Sequence, residues 1–206
     1  MISQRTILVL LLLACALLLS AGCTQPAGTA TTQSPAVAAP GTTGSPTATN
    51  VTAPVVQEHV LLETTMGNIT IALDPDMPVT TGNFEKLVKS GFYNGVIFHR
   101  VIPGYIIQGG DPSGTGYGGP GYTIPDEFTS HNHNARGTVA MANSGPNTGG
   151  SQFFINIVDN DQLDTGYPVF GTVTAGMDVV DAIGKVPTGA DNRPLTNVTI
   201  LHAEMV

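Results

Sequence analysis

Phe98-His99-Arg100-Val101-Ile102-Pro103-Gly104-Tyr105-Ile106-Ile107-Gln108-Gly109-Gly110-Asp111 is the stretch on which the reading of the whole chain turns. Most of it has the apolar texture of buried strand, yet it carries an arginine, a glutamine and a tyrosine. Polar groups of that kind are costly to bury without partners. The conflict disappears if the stretch is a strand, a turn at Pro103-Gly104 and a returning strand with two different faces. His99 and Val101 then point inward, and Arg100 points out into a groove to which the turn also brings back Ile106 and Gln108.

Strand patterns continue on both sides. Upstream, residues 59–64 and 69–73 flank a turn at Met66-Gly67-Asn68, the signature of a β-hairpin. Pro75 and Pro78 punctuate, after which Val79, Phe84, Leu87 and Val88 recur at helical spacing and Gly91 is placed to end the helix. Asn94-Gly95 is a tight-turn dipeptide leading into the quoted stretch. Downstream, residues 137–142, 152–157 and 169–173 read as strands, residues 177–183 as a short helix and residues 195–205 as a closing strand. Many short strands with only two helices suggest an antiparallel β-barrel capped by the helices.

Composition divides the chain before any motif is considered. Of 206 residues, seven are Lys or Arg and fifteen are Asp or Glu. Only Arg5 lies before residue 57, so the remaining segment holds six bases against fifteen acids, a net charge of −9. Its roughly 150 residues suit one domain with a real core. An acidic domain without a basic run argues against nucleic acid as a partner and against charge-driven adhesion to a membrane.

The first residues read as an export signal, with Arg5 as the positive region and residues 7–19 as an unbroken apolar run. Those thirteen residues would span roughly 20 Å as a helix, too short for a bilayer core of about 30 Å. Ser20-Ala21-Gly22-Cys23 resembles a lipobox, with Leu19 one place further out than the usual leucine. Residues 1–22 are thus expected to be a lipoprotein-type signal and Cys23 a lipidated amino terminus, holding the protein outside the cytoplasm by a lipid anchor alone. The other cysteine, Cys15, lies within the signal, so no intrachain disulfide is expected. Residues 23–56, rich in Thr, Ala, Pro and Gly, read as a flexible tether. Asn50-Val51-Thr52 within it is a glycosylation sequon.

Two stretches together are specific. FHRVIPGYIIQGGD at residues 98–111 and MANSGPNTGGSQFFI at residues 141–155 resemble the signature segments of the cyclophilin family of peptidyl-prolyl isomerases. GTGYGGPGYTIPDEF at 114–128 and LDTGYPVFG at 163–171 resemble the segments expected between and after them. The resemblance implies a mainly β fold, a closed eight-stranded antiparallel barrel with two helices and an active groove on its outer face. It implies that Arg100 is the catalytic arginine and that Tyr105, Ile106 and Phe154 form the proline pocket. Gln108, Ala142, Asn143, Ser144 and Gln152 would hold the substrate backbone, and Leu163 and Tyr167 would form the far wall. The implied substrates are proline-containing segments of unfolded or exported proteins, acted on by a monomer that needs no cofactor. Gln162 stands where many members carry a tryptophan that contacts cyclosporin, and with no tryptophan in the chain binding of that ligand is expected to be weak.

Other readings of the same residues are weaker. A groove that holds proline segments without turnover is the main alternative function. Residues 116–121 fit the dinucleotide pattern G-x-G-x-x-G, but Pro120 lies inside it and no helix follows, which points to a loop shaped by its backbone. His131 and His133 lie two apart in a polar loop with no Cys or paired Glu beside them, so no metal is expected. No G-x-S-x-G elbow suggests a hydrolase.

Overall fold

A computed structural model describes residues 57–206; the signal expected at residues 1–22, the lipidation expected at Cys23 and the tether expected at 23–56 lie outside the described residues. The elements in order are β1 (His59–Thr64), β2 (Gly67–Leu73), α1 (Pro78–Lys89), β3 (Arg100–Ile102), β4 (Ile106–Gly109), β5 (Thr138–Met141), β6 (Phe153–Asn156), β7 (Val169–Ala175), α2 (Met177–Ile183) and β8 (Ile200–Met205). The eight strands form one antiparallel sheet in the order β3-β4-β6-β5-β7-β2-β1-β8.

That sheet is curled, and its two edges meet through irregular backbone rather than a regular ladder. Phe98 donates its N–H to Val198 (2.9 Å), Ile200 donates to Val96 (2.8 Å) and Gly95 donates to Ile200 (2.8 Å). The expected barrel is therefore closed by the segments that precede β3 and β8. For the same reason the closing strand starts at Ile200 and not at residue 195. Residues 198–199 are committed to the seam, and Leu195 is an exposed loop residue. The first hairpin also turns earlier than expected, since Thr64 already faces Gly67 and the turn is Thr65-Met66.

Inward side chains fill the space inside the curl. Val60, Leu62, Ile69, Ile71, Val101, Ile107, Val139, Met141, Phe153, Ile155, Phe170 and Ile200 are all buried in one cluster. Helix α1 closes one side of it with Phe84, whose ring lies 5.0 Å from both Tyr93 and Phe170 and 5.4 Å from Phe153. Pro78 suits the first turn because its missing N–H would have had no helical partner. The helix lacks a local cap. The carboxylate of Glu127, 47 residues away from Thr80, accepts from the N–H groups of Val79 (3.1 Å) and Thr80 (2.7 Å) and from the Thr80 hydroxyl (2.9 Å). A negative charge there also complements the helix dipole.

Candidate active site on the outer face of the sheet

Register places the site. Arg100 on β3 faces Gln108 on β4, Gln108 faces Phe154 on β6, and Phe154 faces Ala140 on β5. Residues paired in this way share a sheet face, so these four form one row across four strands. Val101 and Ile107, paired on the opposite face, are buried in the core. The turn between β3 and β4 has Pro103 and Gly104 at its centre, with Tyr105 N–H bonded to Ile102 C=O at 3.0 Å. Gly104 has φ +67°, the left-handed value that the third residue of such a turn requires and that glycine adopts without strain.

A second apolar cluster stands apart from the main core. Ile106, Ala140 and Phe154 are buried in it, with Tyr105, Ala142, Leu163 and Tyr167 packed around them. All five residues expected to line the proline pocket are here, together with Ala142. The rings of Phe154 and Tyr167 meet edge to face at 5.5 Å. This second cluster also explains why three successive residues of β6 are buried: Phe153 and Ile155 fill the interior, and Phe154 is covered from outside.

Beside the pocket runs a line of polar groups. Arg100 donates from Nη1 to Gln108 Oε1 (3.1 Å), and Gln108 donates from Nε2 to Gln152 Oε1 (2.9 Å). Gln152 in turn donates from Nε2 to the carbonyls of Gly116 (3.0 Å) and Gly118 (2.9 Å). Arg100 has no ion-pair partner among the described residues. A groove of about 450 Å³ opens on this side, bordered by Gln108, Ala142, Asn143, Ser144 and Gln152 and by the glycine-rich loop.

Asn143 and Ser144 are placed less simply than their neighbours. Asn143 spends its side chain on its own surroundings, donating to Gly166 C=O (2.8 Å) and accepting from Gly145 N–H (3.2 Å). Its backbone N–H and C=O have no backbone partner among the described residues. Ser144 is exposed, and its N–H is taken by the Thr148 hydroxyl at 2.8 Å. Asn143 thus presents a free main chain to the groove, held in place by its side chain. Gln162 is exposed beside Leu163.

Sequence reasoning gave Asp111 no role, although it ends the quoted stretch. Its side chain is fully buried and receives the whole loop that follows. Oδ1 accepts from Ser113 N–H and hydroxyl, both at 2.7 Å, while Oδ2 accepts from the N–H groups of Thr115 (2.9 Å), Gly116 (2.6 Å) and Gly118 (3.1 Å). Burial alone would raise the pKa of this carboxyl. The hydrogen bonds from Ser113, Gly118 and Gly116 outweigh it and hold the group well below the usual carboxylate range. The available signal was an aspartate followed by Pro, Ser, Gly and Thr, the composition of a turn built on its own side chain. The glycine-rich loop is thus shaped by its backbone, as expected.

His99 faces inward and is buried, and both its ring nitrogens lack a partner among the described residues. The two loop histidines have aspartates that the sequence did not place near them. His131 Nε2 lies 3.0 Å from Asp74 Oδ2, and His133 Nδ1 lies 2.8 Å from Asp164 Oδ2. With Asp76 and Asp161 they make two exposed groups of potential metal ligands. Asp164 is also committed to loop structure, accepting from Asn134 N–H at 2.6 Å.

A curled eight-stranded sheet with an outer row of arginine, glutamine and phenylalanine defines a protein that can grip an apolar ring and direct a cation at what is attached to it. Comparison with known proteins assigns the family. Residues 59–205 match the family model described as cyclophilin type peptidyl-prolyl cis-trans isomerase/CLD. Peptidyl-prolyl cis-trans isomerase-like 1 of Gibberella zeae is 42% identical over 153 residues, covering 72% of this chain and 94% of that protein. Its counterpart in Emericella nidulans is 45% identical over 152 residues, covering 71% and 94%. A cyclophilin type isomerase of Cryptosporidium parvum, solved by crystallography, superposes with a TM-score of 0.70 at 34% identity, covering 73% of this chain and 98% of that one. Another crystal structure of that protein, in the presence of the dipeptide Ala-Pro, gives a TM-score of 0.69. The chain belongs to the cyclophilin family and is a peptidyl-prolyl cis-trans isomerase. That places catalysis ahead of the non-catalytic binding module.

Proposed function

We propose that the outer groove holds a proline-containing segment of an unfolded or exported protein and turns its X–Pro bond, with Arg100 as the catalytic group. The observation that carries this reading is the shared row in which a guanidinium with no ion-pair partner among the described residues stands beside a separate apolar pocket. Rotation about the bond must cross about 18–20 kcal/mol because amide resonance resists it. In the twisted state resonance is lost and the proline nitrogen regains a lone pair. A guanidinium aimed at that nitrogen favours the twisted state over either planar one, which is the condition for acceleration.

The remaining residues divide the labour of holding the two halves of the substrate. Tyr105, Ile106, Phe154, Leu163 and Tyr167 enclose the proline ring. Gln108, Gln152, Ala142, Ser144 and the main chain of Asn143 hold the peptide backbone in the adjoining groove, so that rotation occurs at one bond. In a proline-limited refolding assay on the full chain, Arg100→Ala is expected to slow catalysis at least about tenfold, a loss of roughly 1.4 kcal/mol of transition-state stabilisation. A smaller effect removes Arg100 from the catalytic role.

The protein acts, in this reading, on the outer side of a membrane, as a monomer tethered by a lipid on Cys23. Support comes from the sequence of residues 1–56 alone. Mass spectrometry of the mature amino terminus tests it: a diacylglyceryl group on Cys23 is expected, and an intact residue 1 overturns the anchor. Cyclosporin is expected to inhibit only weakly, which an inhibition titration checks.

A further inference from the structure

We infer that Asp111 is a positioning residue for Arg100, acting through Gly116, Gly118, Gln152 and Gln108. The inference rests on the catalytic reading of Arg100 and concerns what aims it.

A glutamine side chain offers two N–H donors and one carbonyl oxygen, and a half-turn of the amide exchanges them. Gln152 has both donors committed to the carbonyls of Gly116 and Gly118. Turning its amide over would put an oxygen against two carbonyl oxygens. Its Oε1 is therefore obliged to face Gln108, which must answer with Nε2. That choice leaves Gln108 Oε1 facing Arg100, where it accepts from Nη1. Each link fixes the orientation of the next, and the last link is the guanidinium.

The first link is set by Asp111. Oδ2 takes the N–H groups of the same two glycines, Gly116 and Gly118, whose carbonyls orient Gln152. The contact is close. A Cβ placed on Gly118 would lie 2.0 Å from Asp111 Oδ1 and 2.7 Å from Ser113 Oγ, so the loop can sit this tightly on the carboxylate only with glycine at 118. Asp111 itself is fully buried and makes no contact with the groove. Its hydrogen bonds reach the groove only through the loop. Because the hydrogen bonds keep it ionised far into acid, its acceptor pattern stays constant over the working pH range.

Asp111→Asn tests the inference because it keeps the shape and changes one acceptor into a donor. Each carboxylate oxygen faces at least two donors, so either orientation of the amide sets N–H against N–H. With the full chain and a proline peptide, kcat is expected to fall about tenfold while KM stays within about threefold, the pattern of a misplaced catalytic group. A loop that is merely loosened would raise KM instead, since the loop borders the groove, and that outcome overturns the inference. In a Gln152→Ala background the relay is already cut, and Asp111→Asn should cost less than about twofold more. A full tenfold loss there also overturns it. If Asp111→Asn does not fold, Gly118→Ala attacks the same contact from the loop side, with the same expectations. Arg100→Ala, run in parallel, separates the two claims. Loss with Arg100→Ala but none with Asp111→Asn rejects the relay alone, whereas no loss with Arg100→Ala rejects the catalytic reading beneath it.

Discussion

Phe154 shows how much a single residue carries here. It lies at the centre of the outer row, buried between Ala140 and the ring of Tyr167. Truncating it removes both packing and pocket. Phe154→Ala is expected to destabilise the domain by about 3–4 kcal/mol and to raise KM for proline peptides, read by urea melts and steady-state kinetics on one preparation. His99 carries a different liability. Burial is the largest influence on its ring and lowers its pKa below the ordinary 6.5; Asp111 opposes, and Arg193 and Arg100 add to the lowering. Acid therefore protonates the unfolded chain first, and stability should begin to fall as pH drops through about 6.5. Asp111, with a depressed pKa, adds a second loss below about pH 4 by the complementary argument. His133 works in the opposite direction, since its hydrogen bond to Asp164 raises its pKa, but it is exposed and contributes little. Urea melts between pH 7 and pH 5 should show the first decline in the wild type and its loss in His99→Leu.

At the scale of elements, the loop carrying Glu127 acts as the missing cap of α1. Glu127→Ala leaves two N–H groups of the first turn without their partner and is expected to cost about 1–2 kcal/mol, visible as a lower Tm. Strand identity was legible in the sequence wherever alternation ruled, and so was the face of Arg100, because period two requires that neighbours of an inward Val101 point out. The hydrogen-bonded line was not legible. Gln108 and Gln152 are 44 residues apart and meet because β4 pairs with β6, a non-sequential neighbour that composition does not announce. The contact of the Asn143 amide with Gly166 C=O, 23 residues away, was equally hidden. The helix ends were better signposted. Lys86 and Lys89 in the last turn of α1 and Gly91 just beyond it match the dipole and the left-handed exit.

The whole molecule is defined by how its sheet comes round on itself. β8 pairs with β1, Met205 facing Val60, so the last residues of the chain complete a ladder begun by the first strand of the domain. The seam adds a second commitment, since residues 198–200 also pair with 95–98. Both sets of bonds span most of the domain and must wait for distant partners. Such long-range closure is the slow part of folding. During synthesis the domain would remain an open sheet with two bare edges until its final strand emerged, and bare edges invite pairing with other chains. A chain ending at residue 199 should therefore aggregate rather than fold with modestly reduced stability, as size-exclusion chromatography would show. A peptidyl-prolyl isomerase thus has the last step of its own folding reserved to its final six strand residues.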